Sequence, residues 1–419
     1  MIDERVAPSL VRDRDFVLFW SGQAVSLTGS AVTRVALPLL AVLTLEASPL
    51  GLGVLGACVW LPFVGLPMLA GAYVDRHRKR PILLGCNAIR AVLLGLVPVL
   101  WALDALTLPI LCAIALVSGV CEVVFQVAEL AYLPAFVGRD RLLQANSGIE
   151  SARAGADLGG TGIAGLLVQA LGPPLAVLAD AASYVVSTLT LGAIRRREPV
   201  PDRATRRHLG REIVEGLEFV WRTRTLRTIA FALMLTNLAW QAFSTAFVLY
   251  AIRDRGVGSG WWGLVLAIGG GTAMMAALVA PRLATRYGYG PVIVTAGLFT
   301  MGPILLIPAI EGPLWMVVGG WAVAMALSGL GAGVLNVLST TLRAKLSPDE
   351  LLGRIGATTR QLVFAGIPVG ALLGGVLAEA FGARSSIWIS AGAAVAFMLL
   401  LLPLRRIRDP GSASTGGGL

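Results

Sequence analysis

The chain has 419 residues, 56% of them hydrophobic and 14% charged, with a mean hydropathy of +0.78. Soluble domains carry about 25% charged residues, so a water-soluble globule is excluded. The net charge of +10 stands in short basic runs between long apolar stretches, which leaves no basic domain for nucleic acid, and the four cysteines and two histidines form no disulfide framework, metal site or cofactor motif.

The N-terminal stretch MIDERVAPSLVRDRD is mixed in charge and no small-residue cleavage site follows it, so the first apolar segment stays uncleaved. A helix needs roughly 20 mainly apolar residues to cross a bilayer. Twelve such segments follow in order, at 16–45, 49–74, 81–103, 106–137, 146–171, 174–194, 225–252, 260–285, 290–310, 313–342, 355–380 and 384–404. Long unbroken runs predict helices rather than barrel strands, hence an all-α polytopic membrane protein. Of 34 Lys and Arg, 27 fall in the termini and alternate loops of one side, and only Arg253, Arg255 and Arg384 on the other. The positive-inside rule puts both termini in the cytoplasm. Trp101, Trp261, Trp262, Trp315 and Trp388 fall near predicted outer ends, as interfacial aromatics do, while Pro38, Pro62, Pro67, Pro303 and Pro368 predict kinks.

The most basic connection, 195–224, lies between spans six and seven and separates two six-span halves, 1–194 and 225–404, with a Gly/Ser-rich flexible tail at 405–419. Within it Ile213, Val214, Leu217, Val220 and Trp221 recur at helical spacing and predict a short amphipathic helix, on the membrane surface or against the bundle. A shift of 210 residues lays Arg76 over Arg286, Gly160 over Gly370, Gly165 over Gly375 and Gly172 over Gly382; a shift of 209 lays Asp140 over Asp349. Such internal similarity marks a repeat transporter.

An ionisable group at bilayer depth costs about 2.5–3.5 kcal/mol on insertion scales, so each needs a partner or a cavity. Span four carries Glu122 and Glu129 two turns apart, with Gln126 between them on the same face. Glu122 reads as a proton-binding or cation-attracting carboxylate, or as one half of a permanent ion pair with Arg34 of span one. Glu129 lies nearer the cytoplasm and suits coupling, gating or packing. Arg153 and Asp157 are spaced to pair within span five. Arg90 answers a span-four acid or Asp75, Asp180 hydrogen-bonds within its own half, and Arg360 anchors the cytoplasmic end of span eleven. Trp240, Phe243, Phe247, Met274 and Met275 are candidates for an adaptable apolar binding wall, with packing or lipid contact as the alternative.

After span two the chain reads Gly71, Asp75, Arg76, Arg78, Lys79, Arg80. With this loop, the repeat, the N-terminal FVLFWSGQAVSLTGSAVTRVALPLLA and the span-eleven GIPVGALLGGVLAEAFG, the chain resembles the major facilitator superfamily, in its bacterial drug and siderophore exporter branch. Arg78 stands where the family loop has a second glycine, Gly159-Gly160 where its antiporters have Gly-Pro, and the span-four arginine of some drug/proton antiporters is absent. The resemblance implies 12 transmembrane helices in two halves in a bacterial inner membrane. It implies a cytoplasmic gate of Gly71, Asp75, Arg76, Lys79 and Arg80, in which the carboxylate meets a facing helix N-terminus in one access state only. It also implies a cavity lined by spans one, four, seven and ten, to which Arg34, Glu122, Gln126 and Glu129 would contribute on one side and Asn237, Trp240, Gln241 and Asn336 on the other. The expected function is secondary transport by a monomer without cofactor: proton-coupled export of amphiphilic or cationic small molecules. Uptake and lysophospholipid flipping are the alternatives within the fold. A membrane enzyme is disfavoured, because Glu122 and Glu129, about 10 Å apart along one helix, suit no obvious hydrolysis.

Overall fold

The computed structural model describes residues 10–138, 141–196, 198, 217–348 and 352–406. Span one, Arg14–Leu43, is capped by Asp13, whose carboxylate accepts from the backbone N–H groups of Asp15 (3.1 Å) and Phe16 (3.4 Å). Span two starts at Pro49 behind a Ser48 cap and is broken, its pieces Pro49–Phe63 and Leu66–Arg76 meeting at 42°. Pro62 supplies no backbone donor there and Gly65 takes φ +83°, a left-handed conformation that glycine adopts without strain. Lys79–Ala102, Leu108–Val137, Leu142–Leu171 and Pro173–Gly192 complete the first six spans. The second six are Arg224–Asp254, Ser259–Tyr287, Tyr289–Ala309, Leu314–Leu346, Leu352–Phe381 and Ala383–Arg405. Among the described residues ten helices are long and apolar enough to cross a bilayer alone and span two is an eleventh when its pieces are joined; the thirty-residue Leu142–Leu171, diluted by glycines, Asp157 and Gln169, falls short of that measure. Among the predicted kinks, Pro303 opens a 3-10 stretch, Gly302–Ala309, while Pro38 and Pro368 sit in continuous helices.

Spans five and six turn into each other at Gly172, and eleven and twelve at Gly382, both with φ +82°. Within the first half, span one packs on five and six, and span three on four and six; within the second, seven packs on eleven and twelve, and ten on eight and nine. Between the halves, span two lies against eleven and five against eight. A Cβ on Gly53 would stand 3.1 Å from the Gly375 Cα, and one on Gly165 3.0 Å from the Gly263 Cα, so only glycine lets these backbones approach so closely. Gly53 and Gly263 are themselves 210 residues apart, like Gly165 and Gly375; one contact is used twice.

These contacts lie toward the extracellular ends, where Arg253 also donates to the carbonyls of Ala47 (2.8 Å) and Val42 (3.3 Å) and the Leu50 N–H donates to Glu379 Oε2 (3.1 Å). Further in, Trp60 and Phe63 meet Phe364, and the Gly65 N–H donates to Gln361 Oε1 at 2.8 Å. Below that level Leu66–Arg76 packs on span four of its own half. Among the described residues the halves are joined on the side that the charge asymmetry assigns to the exterior and apart on the side that it assigns to the cytoplasm.

Large apolar side chains such as Leu69, Leu189, Leu278 and Trp315 are exposed around the bundle, as a lipid-facing surface requires. Trp101, Trp261 and Trp388 are exposed too, but Trp262 is buried and faces inward, because the tight approach at Gly263 turns that side of span eight to the partner half. In the linker, residues 217–222 are helical, with Val220 packed on Leu226, Ala230 and Ile355 and Trp221 exposed. Ile213, Val214, Asp140, Asp349 and the tail beyond residue 406 lie outside the described residues.

Candidate functional site

A cavity of about 860 Å³ lies between the halves. Arg34, Glu122, Gln126, Glu129 and Gln241 line it, as do Trp60, Phe63, Trp262 and Phe364. The aromatic wall was not legible in sequence, because spans two and eleven carry it. The bend at Gly65 swings the lower part of span two away and leaves Trp60 and Phe63 at the break, with ring centroids 5.2 Å apart and 6.1 and 6.2 Å from Phe364.

Of the expected ionic pairings, Arg90 with a span-four acid is present, while Glu122 with Arg34 and Arg153 with Asp157 are not. Glu122 pairs with Arg90 of span three, Nη2 to Oε2 at 3.2 Å, while its other oxygen accepts from Gln126 Nε2 at 3.2 Å. Arg34 instead reaches span five, where its Nη2 meets Asp157 Oδ1 at 2.5 Å. With Asp157 so engaged, Arg153 turns to Glu150 at 3.6 Å. Glu129 is buried and accepts from Gln23 Nε2. Arg90 is itself buried, its guanidinium 4.0 Å over the Tyr184 ring, whose hydroxyl shares a 2.6 Å hydrogen bond with Ser30. A buried cation is tolerated when paired and hydrogen-bonded, and the Glu122 carboxylate with the Tyr184 face supplies that.

Asp180, expected to be satisfied within its own half, also lines the cavity, and Arg360 lines it from span eleven with its guanidinium 5.4 Å over Phe364, rather than anchoring at the cytoplasmic surface. Among the described residues Arg360 is the one charged lining side chain from the second half, and the others come from spans one to six. Asn237 donates to the Val363 carbonyl at 3.2 Å, Trp240 packs on Phe243, and Asn336 is exposed; none of the three is among the lining side chains. Phe243 and Phe247 stack in the core, and Met274 and Met275 are exposed on span eight.

At the cytoplasmic end, Asp75 and Arg76 are exposed and make no ion pair among the described residues, and the space around the Gly71 Cα is open. Lys79 and Arg80 are held within their own half: their backbone N–H groups donate to Glu198 (2.7 and 3.0 Å), and the Arg80 guanidinium donates to the carbonyls of Leu191 and Gly192. The start of span one joins the same cluster through Asp15, which accepts from the backbone of Arg195 and Arg196, and Asp13, which pairs with Arg196 at 3.0 Å.

Two pseudo-repeated helical halves around one polar cavity, shut on one side and parted on the other, make a membrane carrier that works by alternating access. The model of the Major Facilitator Superfamily matches residues 19–362, and the chain belongs to that family. It is 30% identical over 387 residues to the multidrug efflux pump Tap of Mycolicibacterium fortuitum, with 90% of each chain covered, and 21% identical over 395 residues to macrolide efflux protein A of Streptococcus pyogenes, covering 94% of this chain and 96% of that one. Among solved structures, the nucleoside transporter NupG superposes with a TM-score of 0.78 at 12% identity, covering 94% of this chain and 99% of that one. A bacterial homologue of the iron transporter ferroportin in its inward-facing state gives 0.76 at 14%, with the same coverage. The protein is a multi-pass transporter of the bacterial inner membrane.

Proposed function

We propose that this chain, working as a monomer, exports amphiphilic or cationic small molecules, antibiotics and siderophores among them, in exchange for protons. The observation that carries the reading is the make-up of the cavity: one wall of aromatic rings, the other of carboxylates held by arginines, in a space of about 860 Å³. Apolar rings accept varied hydrophobic bodies and carboxylates attract a cationic head. The relatives named as multidrug and macrolide efflux proteins support the same direction of transport. A proton entering across about 100 mV yields about 2.3 kcal/mol, and the sequence has no nucleotide-binding motif to supply energy otherwise.

In this reading Glu122 takes the proton. Gln126 holds the carboxylate at its second oxygen, Glu129 with Gln23 lies along the cytoplasmic approach, and Arg34 shields Asp157 until a cation competes for it. Gln241 and the aromatic rings contact cargo from the other side. Asp75 and Arg76 engage when the cytoplasmic ends close, with Gly71, Lys79 and Arg80 shaping the loop that carries them. The test uses inside-out vesicles loaded with a pH-sensitive dye and energised with a proton gradient, to which cationic dyes and macrolides are added. Substrate-driven proton release that vanishes in Glu122→Gln supports coupled export. Release unchanged in that variant removes Glu122 from the mechanism, and no release with any compound refutes export of this class.

A further inference from the structure

Beyond Glu122, the first half carries a second carboxylate that the reading above does not use. Asp180 is 1% exposed and lines the cavity. Its Oδ1 accepts from Ser183 at 3.0 Å, while its Oδ2 is buried with no hydrogen-bond partner among the described residues. An ionised carboxylate oxygen left so at bilayer depth costs far more than a neutral carboxylic acid in the same place. Thr33 Oγ1 and Arg90 Nε, buried and equally unpartnered, line the same space.

The groups around Asp180 come from spans one, three and four and from span six itself. Span one presents Ser30 and Thr33, with Arg34 turned away to Asp157 of span five; span three presents Arg90, while its Asn87 donates to Ser187 two turns further along span six; span four presents Glu122; span six itself adds Ser183 and Tyr184. Arg90 is the cation common to both acids. It holds Glu122 through Nη2 at 3.2 Å and lies over Tyr184, one helical turn from Asp180, whose charge it also feels.

We propose that Asp180 is a second proton-binding site and that Arg90 passes between Glu122 and Asp180 during the transport cycle. In the state seen here Arg90 neutralises Glu122 and Asp180 holds a proton. When a proton arrives on Glu122 Oε2, that carboxyl becomes neutral and releases the guanidinium, which remains protonated throughout. Arg90 then moves to Asp180 Oδ2, and the proton held by Asp180 leaves to cavity water. One proton enters, one leaves, and the net charge of the cluster is constant, so no uncompensated charge is buried at any stage. A cationic cargo can enter the same exchange by competing with Arg90 for Glu122. The wetted end of the relay is Glu122, whose side chain is 32% exposed, against 9% for Arg90.

This inference rests on proton-coupled export, and the experiment separates the two. Purified wild type, Asp180→Asn and Glu122→Gln are reconstituted, and gradient-driven accumulation of a cationic dye is measured beside gradient-free counterflow of the same dye. The expected result is that Asp180→Asn keeps counterflow and loses gradient-driven accumulation. Accumulation at the wild-type level in Asp180→Asn overturns the second site while leaving export intact; no gradient-driven accumulation by wild type overturns export itself. A measurement on wild type guards against a variant that fails to fold. Dicyclohexylcarbodiimide, which modifies protonated carboxyls in apolar surroundings, is expected to label Asp180, with labelling lost as pH is raised; mass spectrometry showing Asp180 unlabelled across the pH range overturns the proposal.

Discussion

The paired glycine contacts between the halves predict a shift in access when one is filled. A methyl group on Gly165 would stand 2.7 Å from the Ser259 carbonyl oxygen, 3.0 Å from the Gly263 Cα and 3.3 Å from the Gly260 carbonyl oxygen. All three neighbours are backbone, so no rotamer change relieves the clash and span eight must move as a body. Overpacking of this kind costs about 1–3 kcal/mol. Because spans five and eight touch at this point only while the extracellular side is shut, the cost falls on that state alone, and the outward-facing population should rise roughly five- to hundredfold in Gly165→Ala. The assay is labelling of Ser244→Cys, a cavity-lining position, by a membrane-impermeant maleimide added from outside, in a background with the native cysteines replaced. Gly162→Ala is the control: on the same helix its methyl would meet only the Ala267 Cβ at 3.7 Å, an ordinary contact, and any gain in helix propensity is the same. Equal labelling rates in Gly165→Ala and Gly162→Ala would refute the reasoning.

Glu198→Ala removes the acceptor that caps the start of span three and should lower unfolding stability by about 0.5–2 kcal/mol, read as a fall in melting temperature in detergent. Trp321→Ala empties a fully buried site where the indole N–H donates to the Ile307 carbonyl at 3.0 Å; a loss of about 3–5 kcal/mol is expected in the same melt. Asp157→Asn breaks a half-exposed pair with Arg34 and should change stability by less than about 1 kcal/mol, while weakening transport of cationic cargo relative to neutral cargo in a vesicle competition assay.

The bundle was largely legible in the sequence because each span must satisfy the bilayer by itself: length, hydropathy and flanking charge are local properties, and the predicted segments agree with the helices to within a few residues at most ends. Leu142–Leu171 shows the limit, its first turns being polar enough that the predicted span began at 146. The pairing of ionic groups was legible in part: Arg90 was expected to answer a span-four acid or Asp75, and it holds Glu122, whereas the partner of Arg34 was not legible. Glu122 and Arg34 occupy facing spans, yet the partners chosen are Arg90 and Asp157, because the choice depends on rotations of four helices that hydropathy does not encode. Asp180 does hydrogen-bond within its own half, through Ser183, but its place on the cavity wall was not legible, since helical spacing ranks faces within a helix but not which neighbour each face meets. Trp60 and Phe63 reached the cavity through a bend whose proline was recognised in sequence but whose direction, set by Gly65, was not.

The charged groups of the cavity are almost all contributed by the first six helices, and the facing wall is nearly free of them. In the proposed cycle the groups that handle protons thereby sit on one stretch of the gene, while the apolar wall offered to cargo is shared, with Trp60 and Phe63 from span two and Trp262 and Phe364 from the second half. On that proposal, substitutions in the second half can reshape the space offered to a new compound without disturbing the groups that handle protons. A lineage under changing chemical attack can therefore alter what it expels while keeping the means by which it expels it.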